Sequence, residues 1–256
     1  MTRTGILLIG HGTRDPRGIA EFMQLVKQTR RQAEPMLVEP GFLELASPTI
    51  MDGVERLALL GVNHVIAVPV LLFAAGHAKH DIPRILGQAS RQIFAATDER
   101  IQICQADHLG CHNRIVDLAV NRFHESRRHE SAIDQNDVLL VMVGRGSQDE
   151  SATSEMFDFA RLCQKRIRVC RIDVCFIAMA EPGFETTLND AAQSRFREII
   201  VQPHLLFQGN LLDRLQMTVN SYQSRSKPAT WRIVPHLGPD RLLIEAIIDR
   251  AMSRLV

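Results

Sequence analysis

Two stretches of this chain, GILLIGHGTRD at 5–15 and VLLVMVGRGSQD at 138–149, carry a glycine pair at one spacing. Gly10 and Gly12 fall on Gly144 and Gly146, an offset of 144 − 10 = 134. The same offset takes Phe42 to Phe176, Pro48 to Pro182, Pro69 to Pro203 and Phe73 to Phe207. A fourth block, HLGCHNRIVDLAVNRF at 108–123, resembles HLGPDRLLIEAIIDRA at 236–251, the offset now being 236 − 108 = 128. Four matched blocks in the same order mean that one unit occurs twice. Between the copies lies a polar, charged segment, ESRRHESAIDQN at 125–136, as an exposed linker requires. Two domains are therefore expected, at 1–128 and 136–256.

Within each copy, short apolar runs bounded by glycine or proline alternate with helical patterns. ILLIG, FLELA, HVIAVPVLLF and IQICQA read as buried parallel strands. Residues 16–33 place Ile19, Phe22, Met23 and Val26 on one helical face, and residues 48–60 do so with Ile50, Val54, Leu57 and Ala58. The expected fold is α/β: two tandem βα repeat units, each a parallel sheet flanked by helices. Ligands of such sheets sit outside the carboxyl ends of the strands.

Those ends carry the polar candidates. His11 follows the first strand, Glu44 is expected inside the second, and His77 follows the third. The repeat separates scaffold from chemistry at these places. Arg145 stands opposite His11, Ala178 opposite Glu44 and, with a one-residue gap, Asn210 opposite His77, while the surrounding glycines, prolines and phenylalanines persist. Two imidazoles and a carboxylate suit a borderline divalent metal such as cobalt, nickel or iron, and equally suit proton transfer near neutral pH. His80, three residues past His77, is left without an assigned role.

Net charge is +1, so no global field selects nucleic acid or acidic lipid, and an anionic partner must be recognised locally. Local means are present. Each glycine pair precedes a hydroxyl residue, Thr13 or Ser147, and then a helix whose N-terminal amides suit an anion. Arg14, Arg17, Lys79, Arg84 and Arg145 add positive charge. The glycines are not a dinucleotide signature, because position 15 is Asp and no P-loop lysine follows. Five cysteines without CxxC spacing are expected to be free thiols. No apolar run approaches a membrane span or a signal-peptide core, so a cytoplasmic protein is expected.

IGHGTRDPR, FLELASPTI and VPVLLFAAGHAKHDIP, in that order, resemble the sirohydrochlorin chelatases of the CbiX and SirB type across the whole chain. The resemblance implies a bilobal chelatase-like fold in its long, fused form. It implies a lyase that inserts a divalent metal, Co2+ foremost and alternatively Fe2+ or Ni2+, into sirohydrochlorin during cobalamin or siroheme biosynthesis. Carried onto this sequence, it makes His11 and His77 the metal-site residues and Glu44 the active-site carboxylate, all in the first unit, with a degenerate second unit. Arg14, Thr13, Arg145 and Ser147 are expected to hold the substrate. No permanently bound cofactor and no iron-sulfur cluster are expected, and the protein is expected as a monomer or weak homodimer. Two other readings stand beside it: a noncatalytic metal or tetrapyrrole carrier of the same fold, and a histidine phosphatase. GHGTR echoes the phosphatase RHG motif, but Gly10 stands where its arginine would be.

Overall fold

The computed structural model describes residues 2–73, 76–128, 133–225 and 229–255. In the first half, strands β1 (Thr4–Gly10), β2 (Leu37–Phe42), β3 (His64–Pro69) and β4 (Gln102–Gln105) form a parallel sheet in the order β2-β1-β3-β4. The helices of this half are α1 (Pro16–Gln32), α2 (Ile50–Leu59), α3 (Ile82–Thr97) and α4 (Asn113–Ser126). In the second half, β5 (Val138–Gly144), β6 (Arg171–Phe176), β7 (Glu198–Pro203) and β8 (Thr230–Ile233) repeat the sheet in the order β6-β5-β7-β8. Their helices are α5 (Glu150–Gln164), α6 (Phe184–Ala192), α7 (Asn210–Arg225) and α8 (Arg241–Met252). The fold is α/β with two tandem units, as the repeat requires. Among the described residues no helix is long and apolar enough to cross a membrane.

Each sheet is buried on both faces, which explains the unbroken apolar strands. In the first unit Leu7, Ile9, Val65 and Ala67 pack with Ile50, Val54 and Leu57 of α2 and with Ile82 and Ala89 of α3. In the second, Leu139, Val141 and Val143 pack with Phe184 and Leu188 of α6 and with Leu215 and Val219 of α7. All five cysteines are free. Burial pushes the Cys163 and Cys175 thiols up to about 12, which marks them as core packing.

By its contacts the chain divides into the residues up to Gly110 together with those from Pro239 on, and a second unit, Cys111–Gly238. This differs from the division at 128/136 expected from the repeat, because the matched helices α4 and α8 are exchanged. α8 packs on α1 and β3, and its Arg250 donates to the Leu109 carbonyl at 3.1 Å. α4 packs on α5, and its Ala119 carbonyl accepts from the buried Gln202 of β7 at 2.8 Å.

The repeat also breaks at the start of α3. The helical turn opening at Gly76 matches the start of α7 at Asn210, an offset of 134, but buried Ile82 matches buried Leu215, an offset of 133. The extra residue falls inside His77–Asp81, which is a π-helix. A turn closed by i→i+5 hydrogen bonds absorbs one residue more than an α-turn without disturbing the helix beyond it.

Candidate active site

The loops at the carboxyl ends of β1 and β2 are tied together through their backbones. The Leu43 N–H donates to the Gly10 carbonyl at 2.9 Å and the Glu44 N–H to the His11 carbonyl at 3.1 Å. Between these bonds Gly12 adopts φ +95°, and a Cβ there would stand 1.7 Å from the Glu44 carbonyl oxygen. Only glycine permits that approach. The second unit repeats the device with Ala178 bonded to Arg145 at 3.0 Å and Gly146 pressed against the Ala178 carbonyl.

Glu44 is not within a strand, which corrects the expectation. β2 is LVEPGF and ends at Phe42. Pro40 and Gly41 read as strand breakers, but β2 is an edge strand, where a missing N–H is tolerated. Residues 43–48 instead form a small loop closed at its base, where the Phe42 N–H donates to the Pro48 carbonyl at 2.8 Å. Glu44 projects from this loop with 45% of its side chain exposed, so its carboxylate keeps contact with water.

Backbone pairing sets the two side chains together. His11 Nε2 lies 3.6 Å from Glu44 Oε1. His11 Nδ1 lies 3.2 Å from the Gly12 carbonyl, which accepts the ring N–H in the tautomer that carries its proton on Nδ1. In the neutral ring Nε2 then presents its lone pair toward the carboxylate. A metal ion at Nε2 is favoured by the negative charge beside it.

His77 opens the π-helix that leads from β3 into α3, in the same unit as His11 and Glu44. His80 and Lys79 are exposed on that turn, and Asp81 lies 3.8 Å from Arg84. Among the described residues no three His, Cys, Asp or Glu side chains form a group that could hold a metal ion; the described part of the site is the His11–Glu44 pair.

The expected anion-binding residues have more specific surroundings than the sequence suggested. Thr13 Oγ1 accepts the Asp15 N–H at 3.1 Å, and Ser147 Oγ accepts the Asp149 N–H at 3.0 Å, so both hydroxyls shape the entry to a helix. The N-termini of α1 and α5 are already capped by carboxylates, Asp15 accepting from the Arg17 N–H and Asp149 from the Ser151 N–H. Hydrogen bonds from Arg17 hold the Asp15 carboxyl below its ordinary range. Arg17 is therefore engaged at 2.6 Å by Asp15, whereas Arg14 and Arg145 are exposed beside the glycine pairs of their own units.

One residue beside this pair carries no distinguishing mark in the sequence. Leu45, directly after Glu44, has φ +62° and is 51% exposed. The left-handed region costs an L-residue about 1–2 kcal/mol. In sequence it reads only as more of an apolar strand.

A model of the CbiX protein family matches residues 5–126 and 139–254, one match in each copy of the repeat. A sirohydrochlorin ferrochelatase of Priestia megaterium is 29% identical over 213 residues, which are 82% of this chain and 76% of that protein. A sirohydrochlorin cobaltochelatase of the same organism is 24% identical over 251 residues, 98% of this chain and 79% of that one. SirB from Bacillus subtilis, solved with Fe3+, shares the fold at a TM-score of 0.85 and 23% identity, over 98% of this chain and 95% of that chain. A second SirB structure, from Bacillus subtilis subspecies spizizenii in complex with cobalt, does so at 0.81 and 24%, with the same coverage. With both copies of the repeat matched, the chain belongs to the CbiX family.

Proposed function

We propose that this protein inserts a divalent metal ion into sirohydrochlorin, with Co2+ as its metal and Fe2+ and Ni2+ as the competitors to test. The observation that carries the reading is the His11–Glu44 pair, held by backbone at the carboxyl ends of β1 and β2 in a chain of this family. Replacing two pyrrole protons with a metal requires a group that accepts a metal or a proton at one position, and a charge that stabilises either. His11 Nε2 supplies the first and Glu44 the second.

In this reading His77 is the second metal-site residue, delivered by the π-helix after β3. The metal is substrate, taken up at the histidines and handed to the macrocycle nitrogens as their protons leave toward His11 and Glu44. Arg14 and Arg145 hold substrate carboxylates by charge-assisted hydrogen bonds, while Thr13 and Ser147 contribute hydroxyl donors beside them. The matched positions Arg145, Ala178 and Asn210 carry no second set of these groups, so one active site per chain follows.

The test is anaerobic insertion of Co2+, Fe2+ and Ni2+ into sirohydrochlorin, followed by the macrocycle's absorbance. More than one metallated product per chain distinguishes an enzyme from a carrier. Changing His77 or His11 to Ala is expected to lower kcat by at least about 100-fold with the fold intact by circular dichroism. Insertion at the parent rate by either variant removes that histidine from the mechanism.

A further inference from the structure

Leu45 stands on the closed loop 43–48, one residue past Glu44, and two of its properties are unfavourable in isolation. Its φ of +62° suits glycine or asparagine better than leucine. Half of the residue is exposed, so burial offsets little of that cost. The second unit repeats both features: Met179, at 45 + 134 = 179, has φ +58° and is 53% exposed. Its neighbour there is Ala178, so only Leu45 directly follows a carboxylate. The left-handed backbone belongs to the loop's closure, but a large apolar side chain on it does not.

We propose that Leu45 is a substrate-positioning residue whose side chain packs against the face of the tetrapyrrole macrocycle beside the His11–Glu44 pair. The proposal rests on the chelatase reading above. The neighbouring carboxylate selects this occupant. An apolar protein surface laid on Leu45 would desolvate Glu44 without compensation. A flat macrocycle covers the leucine and brings its pyrrole N–H protons to the carboxylate.

Leu45→Asn and Leu45→Gly remove the apolar bulk and suit the backbone, whereas Leu45→Met keeps the bulk. Binding of metal-free sirohydrochlorin is read from quenching of its fluorescence, and steady-state Co2+ insertion is read from absorbance. In the Asn and Gly variants the Kd and KM for the macrocycle are expected to rise about 10-fold. The loss falls on KM for the macrocycle rather than on kcat or KM for Co2+, and the melting temperature holds or rises. Leu45→Met is expected to restore the parent's Kd within about threefold. A Leu45→Asn variant that binds the macrocycle as tightly as the parent overturns the assignment, and so does a loss that Leu45→Met shares in full. A parent protein that fails to bind sirohydrochlorin overturns the chelatase reading and this proposal together; a parent that turns over but tolerates Leu45→Asn overturns this proposal alone.

Discussion

A methyl group on Gly12 would stand 1.7 Å from the Glu44 carbonyl oxygen, and one on Gly146 would stand 1.7 Å from that of Ala178. The strain is the same at both positions, but only the first loop carries the His11–Glu44 pair. Gly12→Ala and Gly146→Ala are therefore both expected to lower stability by about 2–3 kcal/mol in urea denaturation. Gly12→Ala should also cut kcat for metal insertion about 100-fold, because relief of the clash displaces Glu44. Equal kcat losses in the two variants would refute this separation of scaffold from chemistry. A second residue outside the proposed chemistry is His204, which is buried against Phe159 with ring centroids 4.1 Å apart. Burial pushes its imidazole down to about 3 from 6.5. The unfolded chain thus takes up a proton below 6.5 that the folded chain refuses until about 3, so stability is lost as pH falls through that window. At pH 5 the loss from this group is about 2 kcal/mol, from 1.5 units at about 1.4 kcal/mol each. Position 204 matches Val70, since 204 − 134 = 70. His204→Val should start from a lower urea midpoint but lose less between pH 7.5 and 5. The paired glycines and the replaced His11 and Glu44 were legible in the sequence because duplication set each beside its own control. Leu45 was not, since a left-handed φ leaves no mark in an apolar run.

At the scale of elements, the loop after β2 and the π-helix after β3 distinguish the two copies near the site, the first by its side chains and the second by its backbone. Loop 43–48 has the same closure as its partner, with Phe176 accepting the part of Phe42 and donating its N–H to Pro182 at 2.9 Å. Its side chains differ, with Ala178 standing where Glu44 does. The π-helix is different in kind, because the first copy holds one residue more between Gly76 and Ile82 than the second holds between Asn210 and Leu215. Deleting Ala78 would restore the spacing of the second copy and allow an α-turn to run directly into α3. Such a turn rotates each residue by about 100° relative to its neighbours, so loss of one residue redirects His77 relative to the helix that anchors it. The deletion variant is expected to melt within a few degrees of the parent, with Ile82 and Leu86 still buried, yet to insert metal at no more than about 1% of the parent rate. A deletion variant with parental kcat would show that the π-helix is incidental to His77. The gap itself was visible in sequence, but its position was not: matching His77 to Asn210 put the extra residue before the histidine, whereas the helix start at Gly76 puts it within the turn. β2 was misplaced for a related reason, because Pro40 and Gly41 hide an edge strand from a reading based on breakers.

For the whole molecule, the two-copy plan was readable from recurring offsets, but the assignment of α4 and α8 was not. HLGCHNRIVDLAVNRF and HLGPDRLLIEAIIDRA are similar enough that either apolar face suits either sheet. The choice is made by polar partners scattered elsewhere. Glu198, 2% exposed, accepts Arg127 from the end of α4 at 3.0 Å and Arg232 of β8 at 3.2 Å. Gln202 donates into α4 from a position where the first copy has Val68, since 202 − 134 = 68. For α8 the corresponding anchors are Arg254, 2.8 Å from Asp107, and Arg250 on the Leu109 carbonyl. Each unit therefore depends on a helix that its own stretch of chain does not supply in order. A chain ending at Gly238 retains everything that contacts assign to the second unit, but removes the helix that covers α1 and β3 in the first. Leu243, Ile244 and Ile247 are buried by that packing, and their loss exposes the apolar residues of the first sheet beneath them. Hydrogen exchange on the truncated chain should show amides of β1 and β3 losing protection by several orders of magnitude, while those of β5 and β7 keep parental protection. His11, Glu44 and His77 lie on the unit that loosens, so metal insertion should disappear with the same truncation. Uniform loss of protection across both sheets would mean that the exchange of helices couples the two units into one cooperative fold; protection of β1 and β3 unchanged would mean that α8 is dispensable to the sheet it covers.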